Sequence, residues 1–401
     1  PYDIESFTIL KDAAATAVYG IRGANGVILV VTKQGKTGKP TIGVDYFQGV
    51  TTFTKKPELI DGVDYMNLAN EAGLTEFIRT ANTGTYTPRY SASTITKTAS
   101  REDPILYPNV NWLDAIFRDF GQNRTVTTNL SGGVNNARYY VSLGYYDETG
   151  LFKTDKSQTY NSTQKYQRYN VSTNVDWDIT SSTKVNLGIR GVLGQGNNPG
   201  VDNAQGVFNQ AFQINPTSFP VMYPNGSIPG ISAQSDQRNP YADITRRGYR
   251  TYYNNQLFSN LRLTQDLKFV TPGLSATGMF SFDVANSNTV NRNKRESTYY
   301  INPNDPYNAD GSYKYGQTLQ GQNFLGYSFT NGGDKKLYAE LALNYKRDFG
   351  KHSVSGLVLY NQNDNLTPFA GNFTLCIPYR MMGVAGRASY AYDNRYFAEV
   401  N

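Results

Sequence analysis

The sequence contains very few of the residues on which catalytic and metal sites depend. Its 401 residues include one cysteine, Cys376, and one histidine, His352. A single cysteine excludes an internal disulfide framework, and a single histidine supports neither a histidine-based triad nor a multi-histidine metal site. Asp176 and Asp178 share one face of a predicted strand, but both are expected to be solvated, unlike the acid of a glycosidase. We therefore expect no enzymatic activity, no cofactor and no metal.

Long apolar runs and blocks of like charge are also missing. No run approaches the ~18–20 apolar residues of a membrane-spanning helix, which excludes a helical membrane protein. The net charge is +6, from 38 basic and 32 acidic residues. Because these charges are scattered, nucleic-acid binding is not predicted.

Aromatic residues, by contrast, are abundant. They make up 13% of the chain, with 32 tyrosines and 20 phenylalanines against 2 tryptophans. Tyrosine in such amounts is typical of the interfacial girdles of membrane β-barrels. A surface β protein that binds glycans without transporting them is the alternative.

The first 36 residues differ from all that follows. Their pattern predicts an apolar strand at 7–10, a short alanine-rich helix at 13–18, a glycine-rich turn and a second apolar strand at 27–31. Fully apolar strands of this kind are expected to be covered on both faces. We expect a small α+β unit here.

From residue 40 onward the sequence predicts long alternating strands. Residues 166–179 place Tyr169, Val171 and Trp177 on one face and asparagine, serine and aspartate on the other. Soluble strands average ~5–6 residues and tilted membrane strands ~9–11, so runs such as 252–269 and 337–349 favour a membrane barrel. Short turns alternate with long polar loops near 147–164, 197–248, 286–312 and 363–380, as in outer-membrane barrels. We count about eleven strands, with a strand-free segment at 54–122 that carries helical spacing at 57–72 and 111–120.

The first residues resemble the end of the plug domain of TonB-dependent outer-membrane transporters, in particular the SusC/RagA group. Further similarities occur at 61–65, 111–113, 130–145, 239–242 and 386–396. The plug motif is carried by ten residues: Ile4, Glu5, Leu10, Lys11, Tyr19, Gly20, Arg22, Gly23, Asn25 and Gly26.

This resemblance implies a 22-stranded transmembrane antiparallel barrel in the Gram-negative outer membrane, occluded by a plug. Residues 1–36 are then the C-terminal part of the plug, and 37–401 the N-terminal part of the barrel. It also implies active import of oligosaccharides or peptides, powered by TonB and assisted by a SusD-like surface lipoprotein. The chain reads as an internal fragment, and the TonB-contacting segment is expected to lie elsewhere.

Two sets of residues are candidates for specific roles. Loop and lumen tyrosines could stack on sugar rings, although packing roles are open for each: Tyr223, Tyr252, Tyr253, Tyr299, Tyr300 and Tyr313. Lys11 at the margin of the plug is either solvated or paired with an inward carboxylate of the barrel wall, for which Glu340 is the candidate.

Overall fold

The structure is a computed structural model that describes residues 3–11, 25–80, 83–201, 204–231 and 238–401. Within these ranges the chain forms an eleven-stranded antiparallel sheet, a two-stranded hairpin and a small three-stranded sheet. The predicted count of about eleven strands is confirmed. The predicted helix at 13–18 and the motif residues Tyr19, Gly20, Arg22 and Gly23 lie outside the described residues.

The hairpin consists of β1 (Ile4–Leu10) and β2 (Val27–Thr32), paired antiparallel. Gly26 enters β2 at φ +94, and a Cβ there would approach the Leu10 carbonyl oxygen to 3.0 Å, so the position requires glycine. The expectation of cover on both faces is wrong for the described residues, since Phe7 and Ile28 are 69% and 66% exposed. These side chains stay exposed because the described hydrogen bonds between the hairpin and the wall involve only the end of the hairpin at Asp3 and Thr32.

The eleven-stranded sheet, called the wall below, holds its strands in chain order, with three short strands outside it. Its strands are β3 (Gly38–Thr51), β4 (Gly121–Val134), β5 (Ala137–Thr149), β6 (Lys165–Asp178), β7 (Thr183–Pro199), β9 (Gly248–Asp266), β10 (Leu274–Asn293), β13 (Ser328–Phe349), β14 (His352–Leu366), β15 (Tyr379–Tyr392) and β16 (Tyr396–Val400). The small sheet comprises β8 (Ile228–Pro229), β11 (Thr298–Tyr300) and β12 (Gly316–Leu319).

The two faces of the wall differ because side chains alternate along each strand. One face, the outer face, is apolar and exposed; Ile42, Leu341 and Val384 are 73%, 65% and 77% exposed. The opposite face, the inner face, carries amides, hydroxyls and tyrosines, and the hairpin contacts it. The predicted division into apolar-out and polar-in is confirmed in the register of the strand pairs.

The two ends of the wall also differ. At one end the connections are short; Asp393 and Asn394, with φ of 52° and 53°, form a tight turn of the kind that favours Asx residues. At the other end lie the long connections 52–120, 150–164, 200–247, 294–327 and 367–378. This asymmetry agrees with the predicted pattern of short turns and long loops.

The long connections at 52–120, 150–164 and 200–247 pack together into what we call the loop body. Its helices are α1 (Gly62–Arg79), α2 (Ala92–Ser100), α3 (Trp112–Ile116), α4 (Ala204–Gln213) and α5 (Pro240–Thr245). Capping residues start four of them: the side chains of Asp61, Ser91, Asn111 and Asn239 accept from backbone N–H groups of the first turn. Helices were predicted near α1 and α3, with the second one longer than observed, whereas α2, α4 and α5 were not predicted.

The hydrophobic core of the described residues lies in this loop body. Its buried members are Trp112, Leu113, Ile116, Phe117, Phe152, Val201, Val207, Ala211, Ile214, Phe219 and Ile244. The wall has little core of its own because its two faces are exposed or polar. No helix among the described residues is long and apolar enough to cross a membrane.

Candidate functional site

The candidate site lies where the inner face meets the loop body, and a row of tyrosines marks it. Register aligns Tyr166 with Gly196 and Gly196 with Tyr252 across β6, β7 and β9. The two tyrosine rings stack with centroids 6.3 Å apart and planes 14° from parallel. Gly196 makes this possible, because a Cβ there would lie 2.0 Å from Cζ of Tyr252. The result is a flat aromatic surface on the inner face.

Next to this stack is a cavity of about 570 Å³, which we call the upper cavity. Its wall side is polar and includes Glu148, Lys165, Asn198 and Asn254, while its loop side is mainly apolar, with Gln164 as its polar residue. The apolar lining residues are Phe53, Phe117, Leu151, Phe152 and Phe208. One cavity therefore presents hydrogen-bonding groups on one side and aromatic rings on the other.

The loop body brings these phenylalanines together from three separate connections. Phe117 stacks on Phe152 at 5.2 Å between centroids and meets Phe53 edge-on at 4.8 Å. Phe208 on α4 lies 4.9 Å from Phe117. Such aromatic pairs add ~0.5–1.5 kcal/mol each beyond their buried area, so the apolar side of the cavity is held firmly.

A second cavity of about 470 Å³, the lower cavity, continues along the inner face. It shares Tyr166 and Asn254 with the upper cavity. Its lining is mostly amide and hydroxyl, with Arg168 and Asp334 as the two charged residues. The guanidinium of Arg168 lies over the ring of Tyr146, 5.5 Å from its centroid, and its Nε has no hydrogen-bond partner among the described residues.

A buried ion cluster ties the loops above the cavities to one another. Arg246, at the end of α5, donates to Asp155 at 3.0 Å and to the carbonyl of Gly226 at 2.8 Å, and lies 3.7 Å from Glu296. Burial acts to raise the pKa of Asp155, but hydrogen bonds from Ser157 and the Arg246 guanidinium outweigh it and hold that pKa below its usual value. Asp155 is therefore a stable anion at neutral pH.

A second buried carboxylate in the loop body behaves differently. Desolvation raises the pKa of Asp243, although Arg238 and Arg247 each lie 3.6 Å away. Neither arginine approaches closely enough to offset the loss of water around this side chain. Asp243 is thus a buried carboxyl group on α5 itself, with an arginine on either side.

The hairpin crosses the inner face at the short-turn end, far along the strands from the cavities. Tyr140 donates its hydroxyl proton to Asp3 at 2.9 Å, Asn174 donates to the carbonyl of Lys33 at 2.6 Å, and Arg190 donates to the hydroxyl of Thr32 at 2.8 Å. All of these contacts are polar. In the part of the chain that the structure describes, the hairpin is therefore held to the wall by hydrogen bonds and hardly at all by apolar packing.

The six predicted tyrosines do not form one site. Tyr252 lies in the stack on the inner face, and its neighbour Tyr253 points to the opposite face. Tyr223 and Tyr313 each pack against Tyr315 in the loops, and burial raises the pKa of Tyr223 to about 12. Tyr299 and Tyr300 lie on β11 of the small sheet. Their role in substrate binding stays a prediction for each.

Of the plug motif, Ile4, Glu5, Leu10, Lys11, Asn25 and Gly26 fall in or beside the hairpin. The predicted pair of Lys11 with Glu340 is not among the ion pairs of the described residues. Glu340 instead accepts a hydrogen bond from the hydroxyl of Tyr338 at 2.6 Å, the adjacent inward residue of its own strand. The division at residues 36 and 37 stays a prediction.

Sequence reasoning missed Tyr166, Arg168 and the phenylalanine side of the upper cavity. The glycines at 188, 194 and 196 on the inward positions of β7 were an available sign, since small residues in a strand mark close approach by neighbouring groups. The phenylalanines could not be found this way, because they come from three loops. Among the described residues, no cluster of three or more histidine, cysteine or acidic side chains could hold a metal ion.

Comparison with known proteins supports the fold and the family. No protein-family profile matches the chain. It is 26% identical to TonB-dependent receptor P3 of Formosa agariphila over 99% of this chain and 36% of that protein. It is 34% identical to TonB-dependent receptor SusC of Bacteroides thetaiotaomicron over 38% of this chain and 13% of that protein.

Among solved structures, the RagAB peptide transporter has a TM-score of 0.61 at 19% identity, covering 99% of this chain and 45% of that chain. This similarity speaks for the fold alone. The chain thus spans less than half the length of these relatives. The hairpin, the alternating wall, the loop asymmetry and these similarities agree, and together they support the assignment of this chain as part of a SusC-like TonB-dependent receptor, a β-barrel of the outer membrane.

Proposed function

We propose that the chain serves in the TonB-dependent import of an oligosaccharide or a peptide across the outer membrane. The observation that carries this proposal is the pairing of the wall with the hairpin. The outer face is apolar and suits lipid, the inner face is rich in amides and hydroxyls and suits a water-filled lumen, and the hairpin lies across that inner face. In this proposal residues 1–36 are the end of the plug and 37–401 the start of the barrel.

The contacts of the hairpin fit a plug that must move. Each of its hydrogen bonds to Tyr140, Asn174 and Arg190 contributes about 1 kcal/mol net, because water replaces the partner once the bond breaks. Force applied through TonB could break these bonds one after another. The lumen would then open without disturbing the strand pairs of the wall, and no residue would change its covalent state.

Capture of substrate would take place at the cavities beneath the loop body, on the side of the long loops. A SusD-like surface lipoprotein is the partner that we propose for this side. The relatives named SusC and RagAB support this choice, and the latter is named a peptide transporter.

The experiment uses the full-length gene in its own host. Deletion strains carrying the wild-type gene or none are given radiolabelled oligosaccharides and oligopeptides, and periplasmic accumulation is followed with and without a protonophore. We expect accumulation of at least one class that needs both the gene and the proton-motive force. The alternative, a surface protein that binds glycans without transport, predicts cell-surface binding that depends on the gene and periplasmic accumulation that does not.

A further inference from the structure

We propose that the upper and lower cavities form one site for a short peptide, with a large apolar side chain in the upper cavity and a carboxylate at Arg168. This inference rests on the proposed import function and selects between its two substrate classes. Its basis is the chemistry of the cavity lining, which differs sharply from one end to the other.

The two cavities are adjacent. Tyr166 and Asn254 line both, and Tyr166 and Arg168 are two residues apart on β6. Two residues of strand span about 7 Å. An extended peptide advances at nearly the same rate per residue, so a side chain beside Tyr166 and a carboxylate beside Arg168 are about two residues apart in the ligand.

The upper end favours an apolar side chain over a sugar. Phe53 and Phe208 are only partly buried there, so both retain surface that a ligand could cover. A sugar ring pushed between these phenylalanines and Leu151 would bury hydroxyl groups without partners on that side, which is unfavourable. An aromatic or aliphatic side chain buries apolar surface with no such loss.

The lower end favours a charged ligand. Arg168 lines this cavity and its guanidinium offers a planar fork of donors, although its Nε is itself buried and has no partner among the described residues. Asp334 lines the same cavity and accepts a hydrogen bond from Thr367 at 2.8 Å, which leaves acceptor capacity for an ammonium or amide group. A peptide can form ion pairs with both charges through its termini or side chains, whereas a neutral glycan can offer them only hydrogen bonds from its hydroxyl groups.

Amides between these charges suit a peptide backbone. Asn170, Asn254 and Gln256 line the lower cavity, and each offers both donors and an acceptor. Such side chains can pair with the alternating N–H and C=O groups of an extended chain regardless of its sequence. The site therefore selects for an apolar side chain and a carboxylate, and it tolerates variation elsewhere.

Calorimetry on the full-length transporter, purified from host membranes with any lipoprotein that co-purifies, tests the proposal. Four ligands are compared: a pentapeptide with phenylalanine third from its carboxyl end, the same peptide with serine there, the first peptide with a C-terminal amide, and a neutral pentasaccharide. We expect the phenylalanine acid to bind at least about tenfold more tightly than each of the other three, as burial of a phenylalanine side chain and a charge-assisted bidentate contact predict.

Variants locate the two ends of the site. Phe208→Ala should weaken the phenylalanine peptide about tenfold and leave the serine peptide unchanged. Phe212→Ala, one turn further along α4 and outside both cavities, is its control. Arg168→Gln should weaken the acid and leave the amide unchanged, and Arg262→Gln, on the inner face outside both cavities, is its control.

Several outcomes would overturn the proposal. Preferential binding of the pentasaccharide, weakened by Phe208→Ala, would make this a sugar site while leaving the import function intact. Equal binding of the four ligands, or equal effects of the variants and their controls, would show that the cavities do not select a peptide. The proposed import function is refuted separately, if periplasmic accumulation is independent of the gene or of the proton-motive force. Heat-modifiable migration of each variant on gels is the control that the variant is folded.

Discussion

Arg246→Met is expected to loosen the loop body while the wall remains folded. The Arg246 and Asp155 side chains are 10% and 11% exposed, and their closest contact is 2.9 Å. Removing the cation leaves Asp155 buried without a counterion, which costs about 3–5 kcal/mol in comparable buried pairs. It also leaves the carbonyl of Gly226 without its 2.8 Å donor. The loss falls on the contacts that join the connections 150–164, 200–247 and 294–327.

Limited proteolysis of outer membranes measures this loosening. When opening is fast relative to cleavage, the cleavage rate follows the population of the open form, and each 1.4 kcal/mol changes that population about tenfold. Cleavage within these loops should therefore accelerate by about two to three orders of magnitude. Adding Asp155→Asn removes the uncompensated charge, so the double variant should recover part of the resistance to protease. Arg79→Met, which breaks an exposed ion pair on α1, serves as control and should change nothing measurable.

Two results would refute the reasoning. Unchanged cleavage in Arg246→Met would show that the ion cluster does not hold the loops together. Loss of heat-modifiable migration in the same variant would show that the loop body and the wall are not separable. A double variant as sensitive as the single one would mean that the buried charge of Asp155 is not the source of the effect.

Three further predictions follow from other parts of the molecule. The pKa of Asp155 is lower in the folded protein than in the unfolded chain, where it is about 3.9, so its ionised form stabilises the loop body. This stabilisation is complete above the unfolded pKa and is lost as the pH falls through the folded pKa, so the protease resistance of the loops should hold from pH 7 to 5 and drop below about pH 4. A drop centred near pH 6 would contradict this prediction. Gly196→Ala must displace the ring of Tyr252 from its stack on Tyr166, at a cost of about 1–3 kcal/mol. Peptide binding should therefore weaken, while heat-modifiable migration on gels persists. Unchanged binding would show that the stack is dispensable. Leu341→Arg puts a charge on the lipid-facing side of the wall and should destabilise the barrel by about 2–4 kcal/mol, measured by urea unfolding from lipid vesicles. Asn361→Arg, on the inner face, should not destabilise it. Equal effects of the two variants would invalidate the assignment of the faces.

The wall could be predicted from the sequence because the residues that determine each strand and each pairing lie close together along the chain. Alternation along 166–179 specifies which residues share a face, and the short turns between strands specify which strands pair. The outward position of Trp177 and the inward position of Asn174 follow from parity alone. For the same reason the number of strands was predicted correctly, and most strand ends lay within a few residues of the prediction.

The loop body and the cavities could not be predicted in the same way. Phe53, Phe117 and Phe208 are far apart in the sequence, and no period relates them. Phe53 and Phe117 flank the neighbouring strands β3 and β4, whereas Phe208 lies in the connection after β7, three strands away from β4, so their association depends on the assembled sheet. Tyr166 was missed for a related reason: its stacking partner, Tyr252, comes from a strand two positions away, across a glycine.

The location of the hydrophobic core has a consequence for the order of folding. If the three short strands are left out, every two neighbouring strands of the wall are also consecutive along the chain. Each pair can therefore form its hydrogen bonds once the one connection between its strands has closed. The core of the loop body instead joins residues as distant as Phe53 and Ile244, and closing such separations is slow. We therefore expect the loop body to form after the strands that hold its connections in place. Substitutions in these connections should then leave the earlier pairing of the strands unchanged.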